Sequence, residues 1–146
     1  MNPAVKIVGG ALLAVGAGVA GMVGTNQDNA AAAKKYNLTT EQVSVMEFCV
    51  KDLDTHDESY FADGKNDHEV CACIAKGVKT SKELAFFFNY SSENYGSMAR
   101  DADAHAPKFE AEYQAHFGKP LISSALEQQI KRSIPQYERA EEKCVG

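Results

Sequence analysis

The stretch HEVCACIAKGV, residues 68–78, places two cysteines one residue apart in a segment with helix punctuation on both sides. Asn66 or Asp67 can cap its start, and Gly77 closes its end. Side chains at i and i+2 of a helix diverge by about 200°, so Cys71 and Cys73 are badly placed to bond each other. The chain has four cysteines, and the two remaining pairings both tie Cys49 and Cys144 to this one helix. Val70, Ile74 and Val78 mark its inner face, with Cys71 close to that stripe and Cys73 well off it. Cys49–Cys71 with Cys73–Cys144 is therefore the preferred pairing, since a returning C-terminus can reach the side on which Cys73 stands. In the chain-entropy model, loops of these sizes contribute roughly 3–4 kcal/mol each.

An even cysteine count in a body this small reads as the disulfide framework of an exported domain. The N-terminus agrees. After Lys6 come 18 uncharged residues, Ile7 to Gly24. With Ala4 and Val5 the run could form about 20 helical residues, roughly 30 Å, which is the thickness of a bilayer core. Six of the 18 are Gly, which weakens insertion. Small residues recur four apart, Gly10, Ala14 and Gly18 on one stripe and Gly16, Ala20 and Gly24 on another. That spacing lets two membrane helices approach closely. The expectation is an uncleaved single-pass anchor over residues 1–25, in a cytoplasmic (inner) membrane. Lys6 and the terminal amine stay inside, against the weaker opposing signal of Lys34 and Lys35, so the C-terminal domain is periplasmic. The alternative is a cleaved signal peptide ending at Ala20, which leaves a soluble periplasmic protein. No Cys follows the apolar run, so a lipoprotein anchor is excluded.

The 146 residues carry a net charge of −5, and the pI near 5.3 argues against nucleic acid as a partner. Residues 26–38 form a polar, Ala-rich connector, and residues 39–146 an all-α domain without strand alternation. Thr39 and Gln42 make a capping box and Leu38 with Val43 a hydrophobic staple for a helix whose apolar face is Val43, Met46, Val50 and Leu53. Thr80 with Glu83 suggests another box, before LAFFFNY. Tyr95, Met98, Ala102, Ala106, Phe109, Tyr113 and Phe117 keep one phase through Pro107, which predicts one kinked helix or two nearly collinear ones, stopped by Gly118 and Pro120. Ser124 and Glu127 are placed to cap a last helix that ends near Cys144.

Three patterns bear on chemistry. The loop DLDTHDESYFAD (52–63) has Asp52, Asp54, His56 and Asp63 at calcium-loop positions, but Asp57 stands where the turn needs Gly, so a solvated acidic loop is expected. On a continuous helix, Asp101, His105, Glu112 and His116 share one surface, and a carboxylate four residues before an imidazole can orient it for a metal. Helix-surface pairing is the plainer account of those four. Cys71 and Cys73 with His68 could hold Cu(I) if the thiols were free. No Cys-x-x-Cys, G-x-S-x-G, H-E-x-x-H or phosphate loop is present, so no residue is assigned to catalysis and no cofactor is expected. Finally, Phe86, Phe87, Phe88 and Tyr90 leave their helix apolar on two sides, and a small body that covers only one would offer the other for docking. The function expected is that of an accessory or structural subunit, held to a larger membrane complex or to itself through the Gly10–Ala14–Gly18 stripe. The alternative is a periplasmic metal-binding protein.

Overall fold

The computed structural model describes residues 30–145. The expected anchor, with Gly10, Ala14 and Gly18, and the first residues of the connector lie outside the described residues. Among the described residues all regular structure is helical, and no helix is long and apolar enough to cross a membrane.

Residues 30–36 form a lead-in helix. It stops where Asn37 turns left-handed at φ 57°, and Leu38 and Val43 are then buried together. Helix α1, Thr40–Thr55, starts on the reciprocal box: the Gln42 N–H donates to Thr39 Oγ1 at 3.1 Å and the Thr39 N–H to Gln42 Oε1 at 3.0 Å. The acidic segment after it contains a short 3-10 helix, Tyr60–Asp63, closed by Gly64 at φ 75°. Helix α2, Asp67–Lys76, is capped by Asn66, whose side chain accepts from the His68 and Glu69 N–H groups. Helices α3 (Lys82–Glu93), α4 (Tyr95–Arg100), α5 (Ala102–Phe117) and α6 (Ser123–Val145) complete the chain.

Three local expectations need correction. Helix α6 already begins at Ser123, with the Ile122 carbonyl accepting from the Leu126 N–H, so Ser124 lies inside the first turn and is not its cap. The cap of α3 is Ser81, which accepts from the Leu84 N–H at 3.1 Å. Thr80 turns back to donate to the Val78 carbonyl. The 92–117 stripe also breaks, first at Asn94 between α3 and α4 and again at Asp101, and not at Pro107. Asp101 is extended, with φ −149° and ψ 78°, and its carboxylate caps α5 by accepting from the Ala104 N–H. Pro107 stays inside α5.

The core is organised around α3. Helix α1 packs on α2 and α3, and α6 lies against both of those. On the α1 side Phe48 meets Phe88 with ring centroids 5.1 Å apart and Tyr95 at 6.0 Å. On the other side Phe86 meets Phe109 at 5.6 Å, Tyr113 at 5.8 Å and Phe117 at 5.4 Å, and Tyr90 meets Phe109 at 5.5 Å. Phe86, Phe87, Phe88 and Tyr90 are all buried. The docking surface expected at these four does not exist, because α5 folds back over the second side.

Helix α6 approaches α2 most closely at Gly77, where an added Cβ would sit 2.7 Å from the Cβ of Ala140. Both atoms are fixed to backbone, so the helices would have to part. Gly77→Ala should cost about 1–3 kcal/mol and lower the thermal midpoint. Gly96→Ala should leave it unchanged or raise it, since nothing lies within 4 Å of that added Cβ and a helix interior favours Ala. Thermal melts followed by circular dichroism compare the two, and equal midpoints would show that α2 and α6 are not in close contact.

Candidate functional site

The helix carrying Cys71 and Cys73 is stapled on both sides. Cys49–Cys71 joins α1 to α2 with Cα atoms 5.7 Å apart, and Cys73–Cys144 joins α2 to the end of α6 at 5.9 Å. The environments differ. Cys49 and Cys71 are buried, whereas Cys73 is exposed and Cys144 half-buried. No free cysteine remains, so a copper site built on thiolates with His68 has lost its ligands.

The His and carboxylate set is dispersed as well. Asp101 is spent on the α5 cap. His105 is buried and its Nδ1 is hydrogen-bonded to the Tyr90 hydroxyl at 2.7 Å. His116 lies against the ring of Phe86 at 5.1 Å. Burial, and then the nearby charge of Glu93, push the Glu112 carboxyl up to about 7. The Glu93 carboxyl is raised by burial, with a hydrogen bond from Asn89 opposing. Among the described residues no three His, Cys, Asp or Glu side chains are placed to share a metal ion. The four-residue set fails because its common helix face assumed continuity through Asp101 and an outward His105.

The loop beginning at Asp52 holds a different surprise. Asp52 is completely buried within α1, not solvated. Its carboxylate accepts from the Tyr95 hydroxyl and lies 3.5 Å from His56 Nε2, which is itself 3.0 Å from that hydroxyl. Burial first, then the bond to Asp52, drive the Tyr95 phenol far above its ordinary value. The phenol therefore keeps its proton and acts as a donor, latching the end of α1 to α4. Next door, Asp67 accepts from the Ser59 hydroxyl and the Tyr60 N–H, and the Tyr60 hydroxyl donates to Glu141 Oε2 at 3.2 Å. These carboxylates order the 56–67 segment from inside, so Asp52 is spent within the fold while Asp54 and Asp63 stay exposed, and no three of the described carboxylates gather there around a metal ion. The signal for Asp52 was its place beside Cys49 and Leu53 on the inward face, with His56 one turn on.

Two grooves are open. One, about 900 Å³, runs between the start of α1, the loop before α3 and α6, lined by Gln42, Lys79, Gln129, Arg132 and Gln136 among others. The other, about 520 Å³, lies between the lead-in helix and α1, with Ala32, Tyr36, Met46 and Val50 as apolar lining and Lys35, Lys51, Glu47 and Asp54 around it. Neither was visible in the sequence, because each is made by packing of separate elements. No family model, curated protein or solved structure matches the chain.

The titratable groups between α3 and α5 give a direct check. A carboxyl whose folded pKa exceeds its unfolded one binds its proton more tightly when folded. For Glu112 the resulting stability is present below pH 4.5 and lost as pH rises from 4.5 through about 7. His105 works the other way. Burial, then the charge of Lys108, lower its pKa, so its contribution is present above 6.5 and lost as pH falls through the lowered value. Glu112→Gln should raise the thermal midpoint by a few degrees at pH 8 and leave it unchanged at pH 4. An equal shift at both values would show that the gain comes from packing and not from charge.

Proposed function

We propose that the chain is a membrane-anchored accessory subunit whose helical domain stands on the periplasmic face of a cytoplasmic membrane and acts by docking. The observation that carries this reading is the pair of staples that consumes every thiol, which fits an oxidising compartment. Its placement after the uncharged run Ile7–Gly24 adds the anchor. The six glycines of that run favour a helix that packs against another over one that faces lipid alone. In the domain, the docking role passes from the buried Phe86–Tyr90 helix to the groove between the lead-in helix and α1. Its apolar floor of Tyr36, Met46 and Val50 suits a partner helix, and its mixed rim of lysines and carboxylates suits a partner of mixed charge. The groove is built partly from residues 31–36, which follow the expected anchor within a few positions in sequence, a spacing that suits one partner engaging both.

Purification of the native protein in mild detergent tests this. Mass analysis should find a mature N-terminus at residue 1 or 2, and a partner should co-purify in fixed ratio. Replacing Gly10 and Gly18 together by Ile, with Ala14 kept, should abolish that association while leaving membrane insertion intact. Val50→Arg in the groove should weaken it at least tenfold without loss of the folded domain. A mature start near Gly21 would make the protein soluble and periplasmic, and association untouched by all these changes would remove the docking role.

A further inference from the structure

The two staples are unequal in a way that stability does not require. Cys49–Cys71 is sealed in the core. Cys73–Cys144 opens into a hollow of about 400 Å³ whose lining includes Lys76, Arg139 and Lys143 and no carboxylate. Glu69, one turn before Cys73, is not part of that lining. A thiolate is both the attacking and the leaving species in disulfide exchange, and nearby cations stabilise it. An exposed half-cystine, room for an incoming group and three cationic side chains meet at one place.

We propose that Cys73–Cys144 is a thiol–disulfide exchange site for a dithiol of another protein, while Cys49–Cys71 is a permanent staple. The incoming thiolate attacks Sγ of exposed Cys73, forming a mixed disulfide and expelling Cys144 Sγ as a thiolate among the cations. The partner's second thiolate then attacks its own sulfur in the mixed disulfide and releases Cys73. The partner dithiol is oxidised to a disulfide, and this chain gains two electrons and, once both thiolates are protonated, two protons. The structural consequence is local. Lys65 Nζ donates to the Val145 carbonyl and lies 3.5 Å from the Cys144 carbonyl oxygen, and Tyr60 donates to Glu141. Freeing the last turn of α6 therefore removes its contacts with the 60–65 segment, which Asp67 still holds through Ser59 and the Tyr60 N–H, while Leu126, Ile130 and Tyr137 keep the rest of α6 seated.

Timed treatment of the full native chain with dithiothreitol, without denaturant, followed by acid quench, alkylation and peptide mass analysis, tests the site. Cys73 and Cys144 should be labelled at least tenfold faster than Cys49 and Cys71. Equal rates, or Cys49–Cys71 opening first, overturn the proposal. A second measurement separates an exchange site from a merely exposed staple. In the Lys76→Gln, Lys143→Gln double variant, opening by anionic mercaptoethanesulfonate should slow roughly threefold or more relative to opening by neutral mercaptoethanol. If that ratio does not move, the cations play no part and the proposal fails even with the faster labelling intact.

Discussion

Helix α3 sets the terms for the rest of the domain. Leu84, Phe86, Phe87, Phe88 and Tyr90 leave it no side that water can wet without loss. An apolar helix surface of that breadth must be covered on opposite sides. One cover is α1, through Phe48, and the other is α5, through Phe109, Tyr113 and Phe117. Aromatic pairs at these separations and tilts add about 0.5–1.5 kcal/mol each beyond the area they bury. The breaks at Asn94 and Asp101 together bring α5 back, since a continuous helix from Ser92 onward would carry those rings away from α3. The polar latch of Asp52, His56 and Tyr95 lies on the α1 side, where α4 must be held so that α5 can turn.

Features that depend on near neighbours were legible in the sequence. The Thr39–Gln42 box, the Asn66 cap and the stop at Gly77 each involve residues within a few positions of one another. The divergence of Cys71 and Cys73 is likewise a local property of helix geometry, and it limited the disulfide pairings before any fold was known. The box expected at Thr80 shifted to Ser81 because adjacent hydroxyls offer nearly equal caps, and the neighbouring turn decides between them.

What was illegible depended on distant partners. Asp52 reads as one more carboxylate in an acidic run until Tyr95, 43 residues later, supplies the donor that permits its burial. His105 reads as a surface imidazole until Tyr90 meets it. The four aromatic residues of α3 read as spare surface because the path of α5 cannot be inferred from an apolar stripe that keeps its phase through the break. The two grooves belong to the same class, since they exist only between elements.

Helix α6 shows how the load is divided. Roughly its first five turns are held by burial of Leu126, Ile130 and Tyr137 and by the close seat of Ala140 on Gly77. The final turn has thinner cover, since Cys144 and Val145 pack against the core but are only half-buried and Glu142 and Lys143 are exposed. A cross-link is most consequential where packing is thinnest, because there it shares the docking with only a few polar contacts, here those of Lys65 and Tyr60. Cys73–Cys144 occupies that position, whereas Cys49–Cys71 reinforces helices that the aromatic core already holds. Loss of the inner bond would weaken contacts at the centre of the domain, whereas loss of the outer one would bear on the last turn of α6 and its contacts with Lys65 and Tyr60.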